Sequence, residues 1–259
     1  MDTIAVTYIG GPTALIEWRG VRLLTDPTFD PAGSSYTTAE YTLHKTQSPA
    51  LQPGDVFPVD AVLLSHDQHF DNLDRAGREF LPRARRTLTT VAAAGRLDGT
   101  AIGLSAWETH EIEGPPRVPL RVTATPARHG PAGGDRGPVV GFALGFADAL
   151  DATVYVSGDT VWFDGVREVA SRFSVRVAVI NAGAARVAVA GDAALTLTAA
   201  DAVTLARAMP QAVIVPLHFE GWKHFSESRA DIDDAFRSAG LAERLRWLEA
   251  GIATPIQTF

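Results

Sequence analysis

Two histidines stand three residues apart directly after a short apolar run, in the segment AVLLSHDQHFDNLD, residues 61 to 74. His66 and His69 lie there among three aspartates, a glutamine and an asparagine. Imidazole and carboxylate groups are the ligands that zinc and related divalent metals prefer. Because the chain has only seven histidines and no cysteine, a metal site in it must be built from histidine and carboxylate.

Three further hydrophobic strands are predicted to end at a ligand-type residue. The segments VTATPARHG, VYVSGDT and VIVPLHFEGWKH contain His129, Asp159 and His218 in that order. A strand end on a rigid scaffold holds a side chain accurately, and the loop beyond it leaves room for a substrate. A single histidine after a strand is more often structural, but four sites with the same placement favour a shared metal centre.

The composition is typical of a soluble globular protein that can bury a sizeable core, with 46% hydrophobic residues. A net charge of −7 offers no electrostatic footprint for nucleic acid or an acidic membrane surface. The N-terminus lacks a signal-peptide pattern, and no apolar run is long enough to cross a bilayer. We therefore expect a cytoplasmic protein with a small-molecule substrate, no nucleic-acid partner and no integral membrane segment. The sequence leaves open whether the protein forms a homo-oligomer.

The pattern of strands and helices predicts an α/β fold. Short strands dominate the first part of the chain, and helices are predicted over 163–173, 198–208 and 227–239, with Thr198 as an N-cap. We expect a single domain over residues 1–259, a four-layer αββα sandwich with two mixed, mostly antiparallel sheets and helices outside. The irregular stretch 27–59 is too long for a mere connector, so we expect it to border the active-site mouth.

The order of these motifs resembles that of the metallo-β-lactamase-fold hydrolase superfamily. Its pattern is His-x-His-x-Asp-His, then a third histidine, a bridging aspartate and a last histidine, each after its own strand. The segments LLTDPTF, SGDT and PLHFEGWKHFSE look most like the branch of N-acylphosphatidylethanolamine-hydrolysing phospholipase D and the ascorbate-6-phosphate lactonases. The resemblance implies the metal ligands His66, His69, Asp71, His129, Asp159 and His218.

The resemblance also implies a metal-dependent hydrolase that uses a metal-activated water on an ester, lactone or phosphodiester bond of a small molecule. The first three histidines form the kind of ligand set that zinc prefers, and Asp159 would bridge to a second ion held by Asp71 and His218. We expect one or two zinc ions, with Mn²⁺ or iron as alternatives. Asp71 and His218 are the candidate catalytic residues. If Asp71 is not a ligand, it would orient the water and take its proton.

An extra residue separates the first two histidines of the motif, which leaves two registers. In the first, His66 stays a ligand directly after its strand, and residues 67 and 68 bulge outward. In the second, Asp67 takes the first ligand position. We favour the first register because His66 keeps its distance from the strand.

Asn72 stands where the family has a histidine. An amide oxygen is a poorer ligand than imidazole for zinc and iron, so the second metal position is expected to be weak or empty. The alternative is that Asp67 folds inward and repairs the second site with a carboxylate, which would favour manganese or iron over zinc.

Six residues are candidates for contact with the substrate, from the segment after His218 and from the early loop: Glu220, Trp222, Lys223, His224, Tyr41 and Lys45. Asp26, in LLTDP, either supports a metal ligand from behind or caps the following turn. Two other functions stay open. One is a catalytically weakened metal- or ligand-binding module of the same fold, and the other is a superfamily nuclease, which the acidic balance disfavours.

Overall fold

A computed structural model describes residues 3–97, 99–114, 118–149 and 153–257. The strands within these residues are β1 (Ile4–Gly10), β2 (Thr13–Trp18), β3 (Val21–Thr25), β4 (Ser35–Thr37), β5 (Thr42–His44), β6 (Ala61–Leu63), β7 (Thr87–Thr90), β8 (Ala101–Leu104), β9 (Thr109–Ile112), β10 (Leu120–Pro126), β11 (Val140–Phe146), β12 (Thr153–Val156), β13 (Val175–Asn181), β14 (Val213–Leu217) and β15 (Ala253–Ile256). The α-helices there are α1 (Arg75–Phe80), α2 (Val91–Leu97), α3 (Asp164–Arg172), α4 (Ala199–Ala208) and α5 (Arg229–Ser238).

Two mixed sheets contain all of these strands except β4 and β5, which form a separate hairpin. The first sheet has the order β15-β1-β2-β3-β6-β7-β8, antiparallel as far as β3 and parallel from β3 to β8. The second has the order β14-β13-β12-β11-β10-β9, antiparallel from β9 to β12 and parallel from β12 to β14. Two antiparallel steps separate β10 from β12, so β10, β12, β13 and β14 all run in one direction and end at the same edge.

Successive side chains of a strand point to opposite faces of the sheet, and the central strands are buried because both of their faces are covered. In β12, Val154 and Val156 face the core between the two sheets, whereas Tyr155 faces the helices outside. That outer core is formed with residues of α3, α4 and α5, among them Val169, Leu205 and Phe236. A third apolar cluster, which includes Phe80 of α1, covers the outer face of the first sheet. The predicted four-layer αββα sandwich is therefore confirmed.

The three predicted helices form close to their expected limits. Thr198 is the N-cap of α4, and its side chain and that of Asp201 form a capping box. Ser228 and Asp231 form the same motif at the start of α5. The prediction missed α2, a seven-residue helix, because a segment so short gives little periodic signal. No helix in the described part of the chain is long and apolar enough to span a bilayer. The single domain over 1–259 stays a prediction.

The early segment contains a short hairpin, where the sequence predicted only irregular structure. Tyr36 in β4 pairs with Leu43 in β5, and both side chains are buried while their neighbours in each strand are exposed. These two residues pack against Trp222, which lies far along the chain, in the segment after β14. Three-residue strands leave no detectable alternation in the sequence, and the partner that buries them is remote.

Candidate metal centre

Three histidines converge at the edge where the strands of both sheets end. His66 follows β6 and His129 follows β10, while His69 lies in the loop after His66. Nδ1 of His69 lies 2.9 Å from Nε2 of His66 and 3.1 Å from Nε2 of His129. All three side chains are buried, and their candidate ligand atoms lie within 4.8 Å of one another. A tetrahedral ion with metal–nitrogen distances of about 2.0–2.1 Å holds its nitrogens about 3.3 Å apart, so this spacing fits one ion.

Hydrogen bonds to the outer ring nitrogens orient two of these imidazoles. Nδ1 of His129 lies 2.8 Å from the carbonyl oxygen of Leu195 and must donate to it, which leaves the Nε2 lone pair facing the site. Nδ1 of His66 lies 2.8 Å from Oγ of Ser65. Because Ser65 donates its own hydrogen to Asp26, its oxygen accepts from His66. Both histidines therefore present an unprotonated Nε2, as metal-ligating histidines do.

Nδ1 of His69 faces the Nε2 lone pairs of both His66 and His129. A single proton on its Nδ1 satisfies only one of the two neighbours at a time, whereas a cation satisfies all three nitrogens. Burial lowers the pKa of His66 well below its usual value and that of His69 to about 4. These two imidazoles are therefore neutral at neutral pH, the protonation state that binds metal.

A second group of ligand-type side chains lies beside the first and consists of Asp71, His218 and His224. Oδ2 of Asp71 lies 3.0 Å from Nε2 of His224 and 3.4 Å from Nε2 of His218. Asp159 lies between the two groups, with Oδ2 3.6 Å from Nε2 of His129 and Oδ1 3.7 Å from Nε2 of His218. Asp159 is thus placed to contact an ion in either group.

Several polar atoms of this second region are buried without a hydrogen-bond partner among the described residues. They are Oδ2 of Asp159, both ring nitrogens of His218 and Nδ1 of His224. An unpaired buried polar group costs about 1–3 kcal/mol, so a concentration of them needs an explanation. A bound cation supplies one for the atoms that face the site, and the residues present therefore fit a metal centre.

The charges of the second group attract one another. Burial alone would raise the pKa of Asp71, but the imidazoles of His218 and His224 hold it well below its usual value. The pKa of Asp159 is also lowered, against the effect of burial, chiefly by His218 and then by His129. Both carboxylates are therefore ionised at neutral pH and available to a cation.

The backbone around the site is shaped for close approach. His218 has φ 55°, an uncommon conformation for a residue other than glycine, which turns the chain sharply at the end of β14. Gly158, next to Asp159, has φ 58°, and a Cβ atom there would lie 2.7 Å from Cβ of Ser65. Glycine at this position lets the ends of the two sheets meet behind the metal ligands.

The extra residue of the histidine motif is accommodated by an outward bulge, which is the first of the two predicted registers. The carboxylate of Asp67 binds the guanidinium of Arg96, whose Nε lies 3.0 Å away, and Arg78 lies nearby. Gln68 donates to the carbonyl of Pro138 at 2.9 Å. The structure therefore places the Asp67 carboxylate away from both ligand groups, which favours neither of the two alternatives in which it binds metal.

Asn72 belongs to neither ligand group. Its amide nitrogen donates to Oδ2 of Asp26 at 3.3 Å, and Asp26 also accepts from the backbone nitrogen and hydroxyl of Ser65. Burial, followed by the charge of Asp159, raises the pKa of Asp26 to about 7. Asp26 therefore supports His66 from behind through Ser65, the first of its two predicted roles.

A pocket of about 290 Å³, counting its solvent-open mouth, lies over the two ligand groups. Its lining residues are Tyr41, Leu43, His69, Asp71, His129, Arg136, Ala185, Val187, Leu195 and His224. The early segment therefore borders the site through Tyr41 and Leu43, as predicted. Arg136 and the apolar residues were missed, because isolated loop residues carry no motif.

Of the six candidate substrate contacts, only Tyr41 and His224 line this pocket. Trp222 is buried in the cluster that holds the hairpin, and Lys45 is buried in an ion pair with Asp74. Lys223 is exposed, and Glu220 faces the hydroxyl of Tyr8. The structure therefore places these four side chains outside the pocket lining.

The chain belongs to the beta-lactamase superfamily, since the model of the beta-lactamase superfamily domain matches residues 21–219. The UPF0173 protein YddR of Bacillus subtilis (strain 168) is 23% identical over 256 residues, 95% of this chain and 97% of that protein. A UPF0173 metal-dependent hydrolase of Ignicoccus hospitalis is 25% identical over 258 residues, 97% of each chain. The crystal structure of isothiocyanate hydrolase from Delia radicum gut bacteria has the same fold, with a TM-score of 0.82 and 21% identity over 98% of this chain and 100% of that chain. The resemblance to the superfamily is confirmed, and the branch stays a prediction.

Proposed function

We propose that this protein is a metal-dependent hydrolase that cleaves an ester, lactone or phosphodiester bond of a small molecule. The observation that carries the proposal is the cluster of three imidazoles, spaced for one ion, at the floor of an open pocket. His66, His69 and His129 would hold the first ion, with zinc as the expected metal and Mn²⁺ or iron as alternatives. When bound, the metal supplies the Lewis acidity that activates a water near neutral pH and polarises the bond under attack.

The side chains of the second group have their own parts in the proposed reaction. Asp71 lines the pocket as an ionised carboxylate, so it can orient a water and accept a proton. Nε2 of His218 lies 3.4 Å from Asp71 and 3.7 Å from Asp159, so its imidazole interacts electrostatically with both carboxylates. We therefore assign Asp71 and His218 to the catalytic centre, and Asp71, Asp159 and His218 also to metal binding.

The pocket walls favour a small substrate with an apolar group and one polar oxygen. Leu43, Val187 and Leu195 supply apolar contact area. Arg136 lies on the same wall, mostly buried and paired with Glu40, and its guanidinium can bind an oxygen of the substrate. Burial raises the pKa of Tyr41 to about 12, so its hydroxyl remains a hydrogen-bond donor.

The relatives support the reaction class and widen the range of bonds to test. The Ignicoccus hospitalis protein is named as a metal-dependent hydrolase and matches this chain over nearly its whole length. The structural neighbour is an isothiocyanate hydrolase, so an isothiocyanate belongs among the probes. The fold alone does not select the substrate, since one scaffold hosts many chemistries.

The test is a comparison of the metal-loaded and chelator-stripped protein on four probes: a p-nitrophenyl ester, a γ-lactone, bis-p-nitrophenyl phosphate and benzyl isothiocyanate. We expect turnover of at least one probe, loss of that turnover on stripping and its return with added zinc or manganese. His44→Ala is a matched control, because His44 is exposed and belongs to neither ligand group. A stripped protein that takes up no metal would contradict the proposal.

A further inference from the structure

We propose that His224 is a ligand of the second metal ion and supplies the imidazole that Asn72 cannot. The inference rests on the metal centre of the proposed function. Nε2 of His224 lies 3.0 Å from Oδ2 of Asp71, and the two share a cluster with His218. The expected separation between two ligand atoms of one ion is about 3.3 Å, so His224 stands at ligand distance from its neighbours.

Asn72 is committed elsewhere. Its amide nitrogen donates to Asp26, which in turn accepts two hydrogen bonds from Ser65 behind the first site. A histidine at this position would have to give up that contact to reach a metal ion. The two residues therefore divide roles between them: Asn72 supports the first site, and His224 completes the second.

The chain around His224 holds its side chain over the site. The backbone nitrogen of Lys223 donates to the carbonyl of His44 at 3.0 Å, and the carbonyl of His224 accepts from Arg186 at 3.0 Å. The segment after β14 is thus bound on one side to the end of β5 and on the other to the loop after β13. Backbone hydrogen bonds on both sides fix the position of a residue without depending on its own side chain.

The early hairpin, β4 and β5, supports the loop that carries His224. Lys45 forms an isolated β-bridge with Trp222, and Trp222 packs on Tyr36 and Leu43 of the hairpin. The hairpin therefore positions the loop that carries His224, in addition to placing Tyr41 at the pocket. With Asp71, His218 and His224 together and Asp159 adjacent, the second site has two imidazoles and carboxylates, a set that suits zinc.

This ligand set removes the basis of the weakened-module alternative. That function depended on a second site impaired by Asn72, and the prediction of a weak or empty second position followed from the same substitution. With His224 in the set, we expect two ions of comparable occupancy, because each group offers at least three protein ligands.

The experiment is a titration of the full-length, chelator-stripped protein with Co²⁺, followed by its visible absorption and by calorimetry. We expect the wild-type protein to bind two equivalents. His224→Ala should bind one, with the affinity of the first site unchanged within about threefold and that of the second lowered by more than about 100-fold, since losing even a partner of a ligand costs roughly 10–100-fold. His224→Gln keeps the side-chain size and should also lose the second ion. It therefore tests the inference even if the alanine variant does not fold.

Two controls separate metal binding from folding. His44→Ala removes an exposed histidine of the neighbouring strand and should keep two equivalents. The melting temperatures of the stripped proteins should agree within about 3 °C, whereas the stabilisation by the second equivalent of Co²⁺ should disappear in the His224 variants only.

Three outcomes would overturn the inference. One is a second equivalent that binds both His224 variants as tightly as the wild type. Another is a wild type that binds one ion and gains a second in Asn72→His, since the second site would then be vacant in the natural sequence. The third is a wild type that binds one ion, with the same number bound by the His224 variants and by Asn72→His. It would reject the role of His224 as a ligand while leaving the first site intact. Uptake of no ion by the wild type would reject the proposed function itself.

Discussion

The ammonium nitrogen of Lys45 lies 2.9 Å from Oδ2 of Asp74, and both side chains are buried. Asp74 also accepts hydrogen bonds from the backbone nitrogens of Phe29, Asp30 and Gly77. This one carboxylate therefore joins the early segment to the start of α1. Lys45 acts in the scaffold and not on the substrate, which corrects its predicted role.

Lys45→Met should destabilise the protein because it leaves Asp74 buried without its cation. Breaking a buried ion pair from one side costs about 3–5 kcal/mol, and we expect the low end because three backbone donors remain. Urea unfolding of the stripped protein measures the loss. Lys223→Met is the matched control: Lys223 is exposed, and its replacement should change stability by no more than about 0.5 kcal/mol. A loss below about 1 kcal/mol in Lys45→Met would contradict the assigned role.

His129→Ala should remove the ion of the first site. Its imidazole presents a lone pair to the site while Nδ1 is held by Leu195, so no rotation of a neighbour replaces it. We expect elemental analysis to show the loss of about one equivalent and hydrolysis to fall by more than about 100-fold. His110→Ala, on strand β9 outside both groups, should retain metal and turnover. Full metal content in His129→Ala would contradict the three-histidine site.

Asp67→Asn should leave the metal content unchanged. The carboxylate is buried, but its partners Arg96 and Arg78 are about half exposed, so the solvent-screened pairs contribute about 1 kcal/mol to stability. Chemical denaturation should show that small loss, while elemental analysis shows the wild-type stoichiometry. If instead an ion disappears, Asp67 would be a ligand after all, and the outward bulge would not persist when metal binds.

Arg136→Met should weaken the binding of substrates with a charged or polar oxygen. We expect KM to rise about tenfold with kcat changed by less than about threefold, the signature of an interaction made equally in the ground and transition states. Steady-state kinetics on the best probe, and on a close analogue without the polar oxygen, test this. Glu40→Gln, which neutralises the partner of Arg136, is the control and should not raise KM. Equal losses for both substrates would assign Arg136 to the scaffold.

The sequence by itself determined the fold class and the centre of the site. Each apolar run is a strand, and His66, His129, Asp159 and His218 follow four of these strands. Because the strands concerned in the second sheet share one direction, their carboxyl ends meet at one edge. The apolar pattern predicts that each of these residues follows a strand, and the shared strand direction in the folded sheet brings the strand ends together.

Only the tertiary structure showed which other side chains lie at that centre. Asn72 occupies a ligand position in the motif but binds Asp26, while His224 reaches Asp71 from a loop more than 150 positions away. The same holds for Lys45, a predicted substrate contact that is buried against Asp74, and for Arg136, which the sequence did not single out and which lines the pocket. Side-chain placement in loops depends on the elements packed against them, and those elements are distant in the sequence, so their effect is absent from any local pattern.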